Sequence, residues 1–280
     1  MSDNESRKRA AREFQAANPG ASYTRALRQV SRGRIRRPLT AVLGTALDGR
    51  AVEVNLEWES RGGSGPHCVV IGDEVSSLLA VLAAGLAAGQ APGDLELVLC
   101  AGEDTQLQVT HRRADAGELA EIVDELLQSR YEIFRSIGAR DIEDARERGR
   151  QVPTTVVLID DRDGIWARSR GLARWLRVGR SAGINLVVGT PIAPPTVLTS
   201  ADDMSPALAL ERVVRTATLG NGLLASMATA AIFHRGEGRG TLRTHGRWDA
   251  VRRAQGPDVL TDFEFTAGDH GGGADPLRRR

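Results

Sequence analysis

Lysine is almost absent from this chain of 280 residues: of its 37 basic residues, only Lys8 is a lysine and the others are arginines. A genome rich in G and C encodes arginine in preference to lysine, which accounts for most of this bias. The composition nevertheless excludes, between residues 9 and 280, any site whose chemistry depends on a lysine side chain. Phosphate-binding loops are a major class of site with that requirement.

Cysteines and long apolar segments are also scarce. Cys68 and Cys100 are the only cysteines, and each lies in a short apolar segment that predicts a strand, so we expect a reducing compartment and no disulfide framework. The five histidines are scattered, and we expect no metal site. No run of about 18 apolar residues predicts a membrane-spanning helix, and no apolar segment follows the charged N-terminus as in a secretory signal. These absences predict a cytoplasmic protein.

Charge is balanced over the whole chain but not along it. The net charge is +1, whereas residues 1–37 contain ten lysines and arginines against three acidic residues. This segment predicts two short helices separated by Asn18-Pro19-Gly20, a strong turn signal. Its arginines could contact nucleic-acid phosphates, or the segment could dock on the rest of the chain, because it offers few aromatic residues for stacking on bases. The arginines concerned are Arg25, Arg28, Arg34, Arg36 and Arg37.

Beyond this segment, apolar strands alternate with helical patterns, which predicts a mostly parallel sheet covered by helices on both faces. Two short strands around the turn Asp48-Gly49 come first, and short strands and turns return after Ala207. The strands between them are predicted at 68–71, 95–100, 156–159 and 184–188, and the helices at 75–88, 117–137, 141–150 and 171–180. We therefore expect a basic helical segment at 1–36, an α/β domain at 37–255 and a flexible tail at 256–280.

The connection after the strand at 68–71 matches a phosphate-binding loop in position but not in composition. Such a loop reads G-x-x-x-x-G-K-[ST]; its backbone amides surround the phosphates and its lysine reaches the terminal ones. Here Gly72 is followed by Asp73-Glu74-Val75-Ser76, with no second glycine and no lysine. Two carboxylates would stand beside the phosphates, and each close pair of like charges costs about 4 kcal/mol at an effective dielectric of about 20.

Motifs in a fixed order make the chain similar to a known family. They include Gly62-Gly63-Ser64-Gly65-Pro66-His67, Arg130-Tyr131-Glu132, Leu158-Ile159-Asp160-Asp161 and Gly179-Arg180-Ser181-Ala182-Gly183-Ile184-Asn185-Leu186. Together they resemble the FtsK/SpoIIIE superfamily of ring-forming motor ATPases, and especially the EccC-type ATPases of actinobacterial type VII secretion. The resemblance extends over most of the chain, from about residue 19 to about residue 255.

The chain departs from this family at the nucleotide-binding loop. Aligned on Leu78-Leu79, the loop is three residues short, and Val75 stands at the position of the lysine. Gly72 and Ser76 are what remains of the loop, with Ser76 at the position of the magnesium ligand. The resemblance therefore implies only a vestigial nucleotide site.

The second half of the site departs as well. At the end of the Walker B strand, Asp160 could still hold magnesium, but Asp161 replaces the glutamate that activates water in the family. Alternatively, this vestigial pair caps the helix that follows. After the next strand, Gly189-Thr190 stands where the family has Ser-Gln. Arg180 lies where the family presents an arginine to a neighbouring subunit, with a plain structural role as an equal alternative.

The resemblance implies a RecA-like P-loop three-layer α/β sandwich with a mostly parallel sheet and a short N-terminal helical appendage. The departures predict a structural or regulatory subunit of a secretion or DNA-translocation machine, with no catalytic residue or cofactor, and with ATP and Mg²⁺ bound only if the altered site retains affinity. The implied partner is an active FtsK- or EccC-like ATPase or a second copy of the chain, packed edge to edge and recruited to a membrane complex. The alternatives are a non-standard or partner-completed ATPase, and a basic DNA-binding accessory protein of conjugation or a phage.

Overall fold

Strands and helices alternate along the chain, as the apolar pattern predicts. The structure is a computed structural model that describes residues 8, 12–16, 18–24, 26, 39–57, 63–72, 75–91, 93–103, 105, 107–162, 166, 170–190, 230–234, 239–244, 248–249, 254–255 and 259–265. The strands are β1 (Thr40–Ala46), β2 (Ala51–Asn55), β3 (Cys68–Ile71), β4 (Leu95–Cys100), β5 (Arg112–Ala114), β6 (Thr154–Asp160), β7 (Ile184–Thr190), β8 (Ala230–His234), β9 (Arg239–Thr244), β10 (Trp248–Asp249), β11 (Ala254–Gln255) and β12 (Val259–Glu264). The helices of the α/β domain are α1 (Val75–Gly89), α2 (Ala116–Ile137), α3 (Ile142–Glu147) and α4 (Arg170–Ala182).

One mixed sheet contains all of these strands except β10 and β11, in the order β2-β1-β12-β9-β8-β3-β7-β6-β4-β5. From β8 to β5 the neighbours are parallel, whereas from β8 through β9, β12 and β1 to β2 they are antiparallel. Strands β3 and β4 are consecutive in the chain but are separated in the sheet by β7 and β6, so α1 crosses over between them. This strand order is RecA-like and confirms the predicted α/β fold class.

The central parallel strands, β3, β7 and β6, are buried on both faces because helices cover each side of the sheet. In β3, Cys68 and Val70 belong to a core that includes α1, whereas Val69 and Ile71 belong to a second core with α2 and α4. Every residue of β3 and β7 is buried. This double burial explains why these strands are continuous apolar runs rather than alternating ones.

Several element boundaries agree with the sequence prediction. Strands β3 and β4 begin and end at the predicted residues. Helix α2 starts one residue earlier than predicted because the side chain of Asp115 caps it, and the amide of Asp115 donates in return to the carboxylate of Glu118, the third residue of the helix. Gly49 has φ +81° in the turn between β1 and β2, as the Asp-Gly pair predicts. Helix α3 is shorter than predicted, since it ends at Glu147.

The structure corrects one predicted boundary, the end of the domain at residue 255. The sequence places residues 256–280 in a flexible tail, but residues 259–264 form β12, which lies inside the sheet between β1 and β9. Phe263 of β12 and Phe265, just after the strand, are buried and alternate with exposed residues, as in a strand with one face on the core. The domain therefore extends at least to Phe265.

The N-terminal segment is helical where it is described. Residues 12–16 are helical, and the side-chain amide of Asn18 donates to the carbonyl of Phe14 over 2.9 Å just beyond this helix. Phe14 and Ala26 are buried in a small apolar cluster across the predicted turn. These residues form a small helical unit, in agreement with the predicted appendage.

His67, which directly precedes β3, joins three elements at the amino-terminal edge of the sheet. Its Nδ1 accepts a hydrogen bond from the amide of Leu186 in β7 (3.1 Å), so its Nε2 carries the proton and donates to the carbonyl of Leu176 in α4 (3.0 Å). Burial lowers the pKa of His67 from 6.5 to about 4, and the charge of nearby Arg180 acts in the same direction. His67 is therefore a neutral structural histidine.

We predict that His67 makes the stability of the protein depend on pH between about 4 and 6.5. In this range the unfolded imidazole takes up a proton and the folded one does not, so the free energy of unfolding falls as the pH is lowered, by about 3 kcal/mol in all. Denaturant unfolding of the wild type and of His67→Gln at a series of pH values measures the slope of the free energy of unfolding against pH. The substitution should flatten it, and an unchanged slope would assign the pH dependence to other groups.

Candidate functional site

The carboxyl ends of β3, β7 and β6 meet at one edge of the sheet, because the three strands are adjacent and parallel. The amide of Gly72, after β3, donates to the carbonyl of Thr190 at the end of β7 (3.2 Å). The amide of Asp161, after β6, donates to the carbonyl of Gly189 (2.7 Å). Open parallel sheets bind ligands at this edge. The predicted site residues gathered here are Gly72, Ser76, Asp160 and Asp161.

Four polar side chains at this edge form a hydrogen-bonded group that we name the Asp160 cluster: Ser76, Thr105, Asp160 and Arg162. Oδ2 of Asp160 accepts from Oγ of Ser76 (2.8 Å) and from Oγ1 of Thr105 (2.9 Å). The same Oδ2 accepts from Nε of Arg162 (3.1 Å). Nη2 of Arg162 also donates to Oγ of Ser76 (2.6 Å) and to Oγ1 of Thr105 (3.2 Å). The four side chains therefore contact one another directly.

The carboxylate of Asp160 is shielded from solvent, with 1% of its side chain exposed, whereas the side chain of Arg162 is about half-exposed. Oδ1 of Asp160 is buried and, among the described residues, has no hydrogen-bond partner. A buried carboxylate is costly unless hydrogen bonds and an opposite charge compensate it. Arg162 provides that charge in direct contact with Oδ2.

Asp161, the second acid of the predicted pair, stabilises the connection that leads into α4. Its Oδ1 accepts a hydrogen bond from the amide of Trp166 (2.9 Å), and the residue is 2% exposed. Trp166 stacks in turn on Trp175 of α4, with ring centroids 5.3 Å apart. Asp161 is therefore bound to the connection before α4, which begins at Arg170, and not to the amides of that helix's first turn in any described contact.

Val75, at the position of the missing lysine, packs against Gly189 near the end of β7. A Cβ atom on Gly189 would lie 2.1 Å from Cγ1 of Val75, so no residue with a side chain fits there without movement. Gly189 in turn stands where the family has a serine. The two departures from the family pattern are therefore complementary in space, because the valine fills the volume that a serine side chain would need.

The remaining predicted residues lie elsewhere. Arg180 is exposed near the carboxyl end of α4, and its proximity to His67 places it at the amino-terminal edge, opposite the Asp160 cluster. Asp73 and Glu74, beside the vestigial loop, lie outside the described residues. So do the arginines proposed for nucleic-acid contact: Arg25, Arg28, Arg34, Arg36 and Arg37.

Sequence reasoning misses two members of the cluster, Thr105 and Arg162. Arg162 follows Asp160 by two residues, and this spacing is a usable signal. Thr105 follows β4, and it reaches Asp160 because β4 pairs in parallel with β6. That proximity depends on strand order, which the local sequence around Thr105 does not contain.

Solved structures with the same architecture come from secretion and conjugation systems. The cytoplasmic domain of the Thermomonospora curvata type VII secretion ATPase EccC has a TM-score of 0.59 at 20% identity, over 84% of this chain and 29% of that one. The pCW3 conjugation coupling protein TcpA, in its monomer form with ATPγS, has a TM-score of 0.53 at 14% identity, over 82% and 67% of the two chains. EssC (ATPases 2 and 3) from Geobacillus thermodenitrificans has a TM-score of 0.53 at 11% identity, over 85% and 46%.

This chain has the fold of an FtsK/SpoIIIE-type P-loop ATPase domain. The predicted EccC-like fold is thereby confirmed, and the domain spans less than half of the EccC and EssC chains that it matches. No protein-family model and no curated protein matches its sequence. Within the described ranges, no group of three or more His, Cys, Asp or Glu residues could hold a metal ion, and no helix has the length and apolar character to cross a membrane.

We predict that Val75 and Gly189 are energetically coupled in the folded domain. Gly189→Ala should lower the free energy of unfolding by about 1–3 kcal/mol, because the new methyl group overlaps Val75. In the double variant with Val75→Ala the nearest remaining atom of residue 75 is Cβ at 3.4 Å, so the overlap disappears. Denaturant unfolding of the four proteins should give a coupling of about 1 kcal/mol or more. Additive losses would contradict the close approach.

Proposed function

We propose that this chain is a catalytically degenerate FtsK/SpoIIIE- and EccC-like ATPase domain, which acts as a structural or regulatory subunit of a translocation machine. One observation carries the proposal. Only three residues join β3 to α1, and none of them is a lysine. Val75, at the position of the family's phosphate-binding lysine, packs on Gly189 instead.

The residues at this edge do not fit a magnesium–nucleotide complex. A P-loop surrounds phosphates with successive amides and neutralises them with a lysine and a metal ion. Here the connection is too short to form that arc, no lysine follows Lys8, and Asp73 and Glu74 add negative charge. On the metal side, Ser76 and Asp160 are already hydrogen-bonded to Arg162. These features support a domain that does not hydrolyse ATP.

A domain without turnover can still act on a neighbour, because subunits of a ring contribute residues to each other's sites. Arg180 is exposed at the edge of the sheet opposite the Asp160 cluster, so it does not serve the nucleotide position of its own chain. An arginine supplied by a neighbouring subunit stabilises the charge on a transferring phosphoryl group. In this proposal Arg180 completes the nucleotide site of an active FtsK- or EccC-like ATPase, against which the domain packs edge to edge.

The cellular process in this proposal is protein secretion of the type VII kind, or DNA transfer, in an actinobacterium. The structures that share the fold belong to a type VII secretion ATPase and to a conjugation coupling protein, which supports both processes. The domain would work in the cytoplasm and be recruited to a membrane complex through its partner ATPase.

The proposal predicts that the isolated chain neither binds nor hydrolyses ATP. Isothermal titration with ATP and Mg²⁺ should show no binding in the micromolar range, and no phosphate should be released, because lysine and loop amides are missing. Asp160→Ala serves as the control for trace activity. Stoichiometric micromolar binding, or a turnover that Asp160→Ala abolishes, would contradict the proposal and favour a non-standard ATPase.

The proposal also predicts that the chain alters the ATPase rate of an FtsK- or EccC-like protein encoded beside it, and that Arg180 is responsible. Arg180→Ala should reduce a stimulated rate by about 10³-fold, the lower end for an arginine on a transferring phosphoryl group. Arg177→Ala, an exposed arginine one turn earlier in α4, is the matched control and should retain stimulation. Equal loss in both variants would indicate a general charge effect instead.

A further inference from the structure

We infer that the guanidinium of Arg162 is a permanent internal cation, which occupies the position that a divalent metal ion would need at Asp160. This inference deepens the proposed function and rests on it, because it states what fills the metal half of the vestigial site. It also assigns a role to Arg162, which no family motif singles out.

The contacts of Arg162 are those that a metal ion would make. Two of its nitrogens donate hydrogen bonds to the oxygens that the resemblance assigns to magnesium. Nη2 is 2.6 Å from Oγ of Ser76, and Nε is 3.1 Å from Oδ2 of Asp160. These two oxygens are themselves 2.8 Å apart. One planar guanidinium thus contacts both at once, through donors in a fixed geometry.

The guanidinium and a metal ion exclude each other at this position. Oδ2 of Asp160 already accepts from Arg162 and from the hydroxyls of Ser76 and Thr105. A divalent ion would have to displace the guanidinium from Oδ2 and would stand beside its like charge. Mg²⁺ also loses its hydration water reluctantly. Arg162, by contrast, is always protonated and is joined to Asp160 by a single intervening residue, which keeps its effective concentration high.

The surrounding backbone holds this arrangement in place. Asp161, between the two partners, is fixed by its hydrogen bonds to Gly189 and Trp166. Thr105 is fixed from the other side, because Nη1 of Arg113 donates to its carbonyl over 2.9 Å and Nη2 donates to the carbonyl of Gly102. The oxygens of the cluster would therefore keep their positions if the guanidinium were removed.

Removal of the guanidinium should expose a latent cation site. Oδ1 of Asp160 is buried and, within the described part of the chain, has no hydrogen-bond partner. Without Arg162, Oδ2 and the two hydroxyl oxygens lose the guanidinium donor and can join Oδ1 as ligands, and hard oxygen ligands of this kind suit Mg²⁺ and Mn²⁺. The buried negative charge of Asp160 would then need a new counterion.

The test is a titration of Mn²⁺ by electron paramagnetic resonance in the absence of nucleotide. Arg162→Gln should gain one Mn²⁺ site per chain, at least about tenfold tighter than any binding by the wild type. Adding Asp160→Asn should remove the site. Arg174→Gln, which takes a surface arginine from its pair with Asp124, is the matched control and should behave as the wild type does. Arg162→Lys, which keeps the charge, should also gain no site.

Thermal unfolding provides the second readout. Arg162→Gln should unfold at a lower temperature than the wild type, and added Mg²⁺ should restore part of this difference. The unfolding temperature of the wild type should not change with Mg²⁺. If Arg162→Gln folds poorly, the equally neutral Arg162→Met takes its place in both measurements. Wild-type Mn²⁺ binding as tight as that of Arg162→Gln would overturn the inference, and so would a folded neutral variant without a Mn²⁺ site. ATP binding by the wild type would overturn the proposed function instead, because the Mn²⁺ titration contains no nucleotide.

Discussion

The short connection between β3 and α1 determines what the carboxyl edge of the sheet can hold. Because three residues span it, the first turn of α1 lies against the end of β7, with Val75 on Gly189. Ser76, the next residue, then comes within 2.8 Å of Asp160. The space at this edge is filled by the protein's own side chains, and this filling is the physical basis of the proposal that the domain does not turn over nucleotide.

Two arginines stabilise opposite edges of the sheet, one through a carboxylate and the other through backbone carbonyls. At the carboxyl edge, the positive charge of Arg162 compensates the buried negative charge of Asp160. At the amino-terminal edge, Arg130 is 3% exposed and donates to the carbonyls of Ala182 (2.5 Å) and Gly183 (3.0 Å), which fastens α2 to the end of α4. Burial lowers the pKa of Arg130 to about 10, so it remains charged at neutral pH. A lysine ammonium lacks the planar fork that makes such contacts, so a chain nearly without lysine loses little structurally.

The sequence predicts the parts of the fold whose signals are local. Strands β3 and β4 are apolar runs, and α2 has a capped start and a regular apolar face, so their positions follow from pattern alone. Strand β12 is missed because one of its partners, β1, is distant in the chain and a Gly-Pro pair precedes it. The site follows the same rule. Family motifs identify Ser76 and Asp160, whereas Thr105 and Arg162 join them only through strand order and side-chain reach.

The place of β12 in the sheet also affects how the domain folds during synthesis. Among the described strands, β1 and β2 connect to the rest of the sheet only through β12. The ribosome makes β1 and β2 first and β12 last, so this hairpin has no strand to join until almost the whole domain has emerged. Until then β1 and β9 each present an open strand edge, on which a chaperone or the β12 of another nascent chain could pair. Completion of the sheet thus depends on β12, the last of its described strands to be translated.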